Sequence, residues 1–338
     1  MVDSLIITSD RIAAAREAIA GKVHRTPMLS SATAARVVEA ATGAGVADGR
    51  VYLKAEHLQK TGSYKPRGMV AKVATLTADE RRRGIITISA GNAAQAYAYA
   101  GRTAGVSVTV VMPVAANPSK AAACRGYGAE VILVGNTFDE SWAAMESIAA
   151  ERELVFCHPF DDPDVIAGHA SAGHEILEDL PEVDVVVTGV GGGGLISGVS
   201  AAIGEARPRT RIFGIEPEGS DALRRGLAAG EPVRIQPKSV ADGLNGPFAG
   251  RWNIAQAQRY VEDVILVDDA TILAGLRFAL ERTKQVLEPA GAAALAALLT
   301  GRIPVRNGDR ICVLLSGGNV DPDRIGELLA QAAPLAVP

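Results

Sequence analysis

Cysteine is scarce. Cys124, Cys157 and Cys312 are the only three in 338 residues, they lie far apart, and none belongs to a Cys-x-x-Cys pair. An odd, dispersed count excludes a disulfide framework and the zinc ribbons and fingers. It makes a reducing, cytoplasmic compartment the expectation. Long apolar runs are missing as well. None reaches the ~18 residues of a membrane helix, so no membrane contact is expected. Residues 1–10 lack a basic stretch followed by an apolar core, and no secretory signal is expected there. Basic excess is absent too: 34 Lys+Arg face 38 Asp+Glu, a formal net charge of −4. Nothing in that balance offers a polyanion surface, so nucleic acid is not an expected partner. No low-complexity linker and no internal repeat is visible.

What remains is the composition of a soluble globular enzyme, 48% apolar and 21% charged. The length suits two domains or one large one. Glycine is the unusual component. There are 36, roughly 11% of the chain, against a typical ~7%, with no collagen period. They must act locally, at turns and close backbone approaches.

Helical and strand-like segments alternate. Residues 9–20 read as a helix capped by Ser9 or Asp10. Segments 51–54, 85–88, 108–112 and 131–134 read as strands, with Ala-rich helices near 92–104, 118–127 and 138–150 between them. Segments 184–187, 211–215 and 311–315 repeat the pattern, and a last helix runs to about 331. Such spacing implies βαβ units and parallel sheets covered on both faces. Two clusters of units, about 85–157 and 184–216 with a return at 311, predict an α/β protein of two lobes with a cleft between them. The longest expected loop is 231–250.

Four loops carry chemistry. Thr61 to Gly68 reads Thr-Gly-Ser-Tyr-Lys-Pro-Arg-Gly, with Lys65 between Tyr64 and Pro66. Proline fits a first helical turn, which puts Lys65 at a helix N-terminus. A desolvated lysine there is a nucleophilic amine able to form a Schiff base. Ser89-Ala90-Gly91-Asn92 follows a strand and opens a helix, so its amides suit a carboxylate; a plain N-cap is the alternative. Gly191 to Gly194 lets backbone amides wrap a phosphate. The same turn satisfies G-x-G-x-x-G through Gly189, Gly191 and Gly194, with Glu216 at the spacing of a dinucleotide site, so an NAD-dependent oxidoreductase is a rival reading. Ser316-Gly317-Gly318-Asn319 again follows a strand, where Ser316 caps a helix or meets a ligand. All four lie at carboxyl ends of strands, where parallel sheets bind ligands.

A lysine, a phosphate cradle and a single hydroxyl together match pyridoxal phosphate. The sequence resembles the fold-type II pyridoxal-phosphate enzymes, in the serine/threonine dehydratase and serine racemase group, a tryptophan-synthase-β-like fold. The likeness covers nearly the whole chain. Besides the four loops it includes His24-Arg25-Thr26-Pro27, His158 to Pro163, Gly214-Ile215-Glu216-Pro217, Ala241-Asp242-Gly243 and Glu288-Pro289-Ala290-Gly291, in the family's order. It implies a large cofactor-binding domain at 1–75 and 158–338 and a small domain at 76–157.

The resemblance also implies roles. Lys65 looks like the Schiff-base lysine and Asn92 like the partner of the cofactor's ring hydroxyl. Gly191, Gly192, Gly193, Gly194 and Leu195 resemble the phosphate loop, and Ser316 the partner of the pyridine nitrogen. Gly243 and Glu288 belong to the same cofactor site. Ser89, Ala90, Gly91 and Asn92 resemble the substrate-carboxylate loop. Tyr64 stands where most members carry Phe, and adds a hydroxyl able to reach substrate or water. The implied reaction is β-elimination of water from L-threonine or L-serine, giving a 2-oxo acid and ammonia by way of an aminoacrylate. Lys65 takes the α-proton. A serine opposite the ring nitrogen cannot hold a pyridinium by charge, which favours elimination over transamination.

Departures sharpen this reading. Serine racemases carry a second acid/base serine where this chain has Ala90, so racemisation should be minor. Ala93 replaces a frequent His. His169 stands where many threonine dehydratases have Gln, which leaves serine against threonine open; His169 and His174 read as structural. The family's divalent-cation site is matched by Glu216, while position 222 is Ala and Asp221 comes one residue early. A cation on Glu216, the Ser220 carbonyl and Asp221, divalent (Mg, Ca, Mn) or monovalent (K), is an expectation. Alternatives are 3-hydroxyaspartate or phenylserine as substrate, a racemase or β-replacement reaction, and a non-catalytic amino-acid sensor. A homodimer is expected. The length leaves no room for the C-terminal regulatory domain of longer threonine dehydratases, so no isoleucine feedback through such a domain is expected.

Overall fold

The computed structural model describes residues 5–338. Among the described residues, ten strands form two sheets. They are β1 (Met28–Ser31), β2 (Val51–Lys54), β3 (Ile85–Ile88), β4 (Val108–Met112), β5 (Glu130–Leu133), β6 (Val155–Phe156), β7 (Val185–Gly189), β8 (Arg211–Pro217), β9 (Asp263–Val267) and β10 (Ile311–Leu314). The larger sheet has the order β1-β2-β10-β7-β8-β9 and the smaller β5-β4-β3-β6. Every pairing is parallel except β1 with β2. The fold is therefore α/β with mostly parallel sheets, as the strand–helix alternation implies.

Both faces of the large sheet are buried, and the strands show it by alternation. Val185 and Val187 of β7 join one core cluster, with Ile311 and Val313 of β10. Val186, Cys312 and Leu314 point into another. The small sheet divides likewise: Val108, Val110 and Met112 lie on one side and Val111 on the other. No helix among the described residues is long and apolar enough to cross a membrane.

Several boundaries move. The first helix is Ser9–Ile19, and its cap is Thr8, whose hydroxyl accepts from the Arg11 amide, in place of Ser9 or Asp10. The expected strand 131–134 begins at Glu130, and 184–187 runs instead as Val185–Gly189. Ser316 caps nothing. The last helix, Pro322–Gln331, has Asp321 at its N-cap position, five residues later. The segment 231–250 is a loop apart from one short turn at Asp242–Leu244.

Candidate active site

The four loops do meet. Tyr64, Lys65, Ser89 to Asn92, Gly191 to Leu195, Gly243, Glu288 and Ser316 line one cavity of about 290 Å³ between the two sheets. The four loops arrive from the carboxyl ends of parallel strands or from the turns beyond them, whereas Gly243 and Glu288 come from loops that follow helical segments. Lys65 follows β2 through two short turns and immediately precedes the helix Pro66–Ala74, with Pro66 in its first turn. Asn92 opens the helix Asn92–Ala104 after β3, and Gly194 opens Gly194–Ala206 after β7.

Lys65 is half-buried in the cavity wall. Its Nζ donates to the Pro159 carbonyl at 3.3 Å and lies 5.1 Å from the centre of the Tyr64 ring. Burial disfavours the ammonium and brings the amine down to about 8, with the Glu288 charge opposing. Burial likewise pushes Glu288 up to about 7. The charge of Asp242 adds to that push, while Lys120, Asn92 and Lys65 resist it. Tyr64 is held protonated, first by burial and then by the Glu288 charge.

The glycine loop is built to bind an anion. The amides of Gly191, Gly192 and Gly193 meet no acceptor among the described residues. The Gly192 carbonyl is turned away and held by Asn253 Nδ2 at 2.8 Å and by the Gly250 amide. Side chains are excluded at two positions. A Cβ on Gly192 would enter the Phe160 ring, and Gly193 has φ +96° with Asn253 Cβ 2.7 Å from the place of its Cβ. Orphaned donors at the mouth of a helix fit the phosphate of pyridoxal phosphate. Lys65 supplies the amine, Asn92 a side-chain amide, and Ser316 a hydroxyl that makes only a long 3.4 Å contact with the Ala290 carbonyl. The residues present fit the cofactor.

The metal expectation fares differently. Glu216 is buried, but its two oxygens accept from the amides of Leu223 at 2.7 Å and Arg224 at 3.0 Å. The Asp221 carboxylate is held by Arg225 Nε, and the Ser220 hydroxyl donates to the Leu244 carbonyl. Among the described residues no group of three or more His, Cys, Asp or Glu side chains could hold a metal. A cation on Glu216 and Asp221 would have to displace these partners.

Other residues at the site had no role assigned from sequence. Asn319 donates to Asn92 Oδ1, and Asn253 braces the glycine loop. Lys120 reaches the cavity wall and pairs with Asp242 at 2.5 Å. Asn319 and Asp242 lie inside recognisable motifs, whereas Asn253 and Lys120 sit in ordinary helical stretches with no local signal. His169 is fully buried, with its ring 4.7 Å from that of Tyr64 and neither nitrogen hydrogen-bonded. Burial keeps it neutral.

Comparison with known proteins agrees with this geometry. Residues 19–317 match the family model described as pyridoxal-phosphate dependent enzyme. The L-threonine ammonia-lyase of Thermotoga maritima is 41% identical over 96% of this chain and 78% of its own. The catabolic L-threonine dehydratase TdcB of Escherichia coli is 35% identical over 96% of both chains. Maize serine racemase superposes with a TM-score of 0.87 at 31% identity, covering 96% of this chain and 97% of that one.

Proposed function

The chain belongs to the family of pyridoxal-phosphate-dependent enzymes, and on that premise we propose that it is a dehydratase acting on L-threonine or L-serine. The net products are a 2-oxo acid and ammonia, because the water lost in the elimination is taken up again in the final hydrolysis. One observation carries the reading: a desolvated Lys65 faces the same small cavity as three glycine amides that lack acceptors.

The cofactor, when bound, withdraws electrons from the substrate's Cα. The chain does the rest. Gly191 to Gly194 and Leu195 hold the phosphate, Asn92 the ring oxygen and Ser316 the ring nitrogen, with Gly243 and Glu288 closing the site. Ser89 to Asn92 hold the substrate carboxylate at a helix N-terminus. Lys65 grips the cofactor through its amine. Once the substrate amine takes its place, Nζ receives the α-proton. The Cβ–O bond breaks with its electron pair going to oxygen, which takes up the proton carried by Nζ and leaves as water. Hydrolysis of the remaining imine then releases ammonia. The Tyr64 ring lies 5.1 Å from the amine, and its hydroxyl, held protonated, is proposed to order substrate or water.

Substrate size and charge support a small neutral side chain. A cavity of about 290 Å³ lies at the low end of the ~300–1,000 Å³ of ligand pockets, which disfavours phenylserine. Its lining cations are Lys65 and Lys120, and Lys120 is already paired with Asp242. That leaves no partner for the second carboxylate of 3-hydroxyaspartate. Ala90 carries no titratable group, which supports elimination over racemisation. A cytoplasmic homodimer completes the reading, and light scattering tests the assembly. The direct test gives the purified holoenzyme L-threonine and L-serine separately, then measures 2-oxo acid, ammonia and D-amino acid. Formation of 2-oxo acid and ammonia in equal amounts is expected. D-serine as the main product would sink the proposal.

A further inference from the structure

Asn92 has a side chain that can face two ways, and only one of them offers a donor to the cofactor's ring oxygen. Its surroundings fix the choice. Asn319 Nδ2 donates to Asn92 Oδ1 at 2.8 Å, and Asn92 Nδ2 donates to Glu288 Oε1 at 2.6 Å. Asn319 is itself held in that sense, because its Nδ2 also donates to the Thr61 carbonyl at 2.7 Å. Glu288 can only accept at Oε1, and its Oε2 has no partner. A flipped Asn92 would place donor against donor at Asn319 and acceptor against acceptor at Glu288. One N–H of Asn92 Nδ2 stays uncommitted. The backbone leaves room for both partners: a Cβ on Gly62 would strike Asn319 Oδ1, and one on Gly317 would strike Glu288 Oε1.

We propose that Glu288 and Asn319 are positioning residues that clamp the Asn92 amide from both ends, so that it always presents an N–H to the cofactor's ring oxygen. A fixed donor favours the anionic form of that oxygen. The two residues therefore set cofactor affinity and the ionisation of the bound chromophore without touching substrate. Each loss of a correctly oriented amide hydrogen bond amounts to about tenfold in affinity.

The inference rests on the proposed cofactor site, and its test reads the cofactor alone. Pyridoxal phosphate is titrated into the cofactor-free full chain, and affinity and visible absorbance are followed from neutral to alkaline pH. Asn319→Asp keeps the side-chain shape but removes the donor to Oδ1. Glu288→Leu removes the acceptor, and Glu288→Gln restores a carbonyl oxygen there. Asn319→Asp and Glu288→Leu are each expected to weaken cofactor binding about tenfold and to shift the pH dependence of the spectrum. Glu288→Gln is expected within about threefold of the parent. In an Asn92→Ala background, Asn319→Asp should have no further effect, which separates positioning from a general structural loss. Unchanged affinity and spectra in Asn319→Asp and Glu288→Leu, or losses that add fully to that of Asn92→Ala, would overturn the clamp while leaving the dehydratase reading intact. A parent protein that takes up no cofactor would overturn both.

Discussion

Lys65 should react as a neutral amine near physiological pH. Burial lowers it from a lysine's ordinary 10.5 to about 8. At pH 7 that gap makes the unprotonated amine about 300-fold more abundant than on an exposed lysine. The perturbation to apply is pH itself. The cofactor-free protein is mixed with pyridoxal phosphate over a series of pH values, and the growth of the visible band is followed by stopped flow. Attack on the aldehyde requires the neutral amine. The rate should therefore rise about tenfold per pH unit below the pKa and level off just above pH 8. The sign follows from desolvation, which penalises the charged form of a base and so depresses its pKa. A profile still rising steeply at pH 9–10, as for an exposed lysine, would refute the argument that burial activates this amine.

Other outcomes follow from the same geometry. Gly192→Ala drives a methyl into the Phe160 ring and should cost about 1–3 kcal/mol of stability, together with at least tenfold in cofactor affinity; chemical unfolding and fluorescence titration measure the two. Arg67 is fully buried, pairs with Glu56 through Nε at 2.7 Å, and meets Glu175 through Nη1 at 2.7 Å. Arg67→Leu strands the buried Glu56 carboxylate, leaves Glu175 only its Lys54 pair, and should lower stability by about 3–5 kcal/mol, seen as a large fall in Tm. Glu175 titrates accordingly. Burial raises its pKa, but Arg67 and Lys54 outweigh burial and hold it below the ordinary carboxylate value. Its contribution is present at neutral pH and lost as pH falls through that lowered pKa, so acid unfolding of Glu175→Gln should be less steep than that of the parent. Ala90→Ser supplies a hydroxyl beside the substrate-carboxylate loop and should raise D-serine formation from L-serine, read by chiral chromatography; no change would remove Ala90 as the reason for minor racemisation.

Much of the site was legible because each loop pairs a reactive residue with a backbone requirement. Lys65 is marked by Pro66, and the phosphate cradle by four glycines that only close approach explains. Buried parallel strands announce themselves as β-branched runs, hence the matching limits of β3 and β4. Edge strands do not. Met28–Ser31 has a single buried residue, and Asp263–Val267 is buried only at Val264 and Val267. The Thr8 cap was missed because Ser9 and Asp10 are equally good cap residues, and the hydrogen bond to Arg11 decides among them. A cap at Ser316 stays open in the sequence because helices usually start soon after a strand; here four residues separate it from the Asp321 cap. The amides that the helix beginning at Ala222 turns onto the Glu216 carboxylate are likewise not legible in the spacing of acidic residues. Asn253 and Lys120 reach the site only through tertiary packing, which no local pattern encodes.

The central claim is that one side-chain amine both holds the cofactor and moves the α-proton. Lys65→Ala tests it most directly, with L-threonine turnover and the visible spectrum recorded on protein shown by circular dichroism to be folded. The account predicts no visible Schiff-base band and no 2-oxo acid above the uncatalysed rate. Folded Lys65→Ala protein that still turns over L-threonine would contradict it.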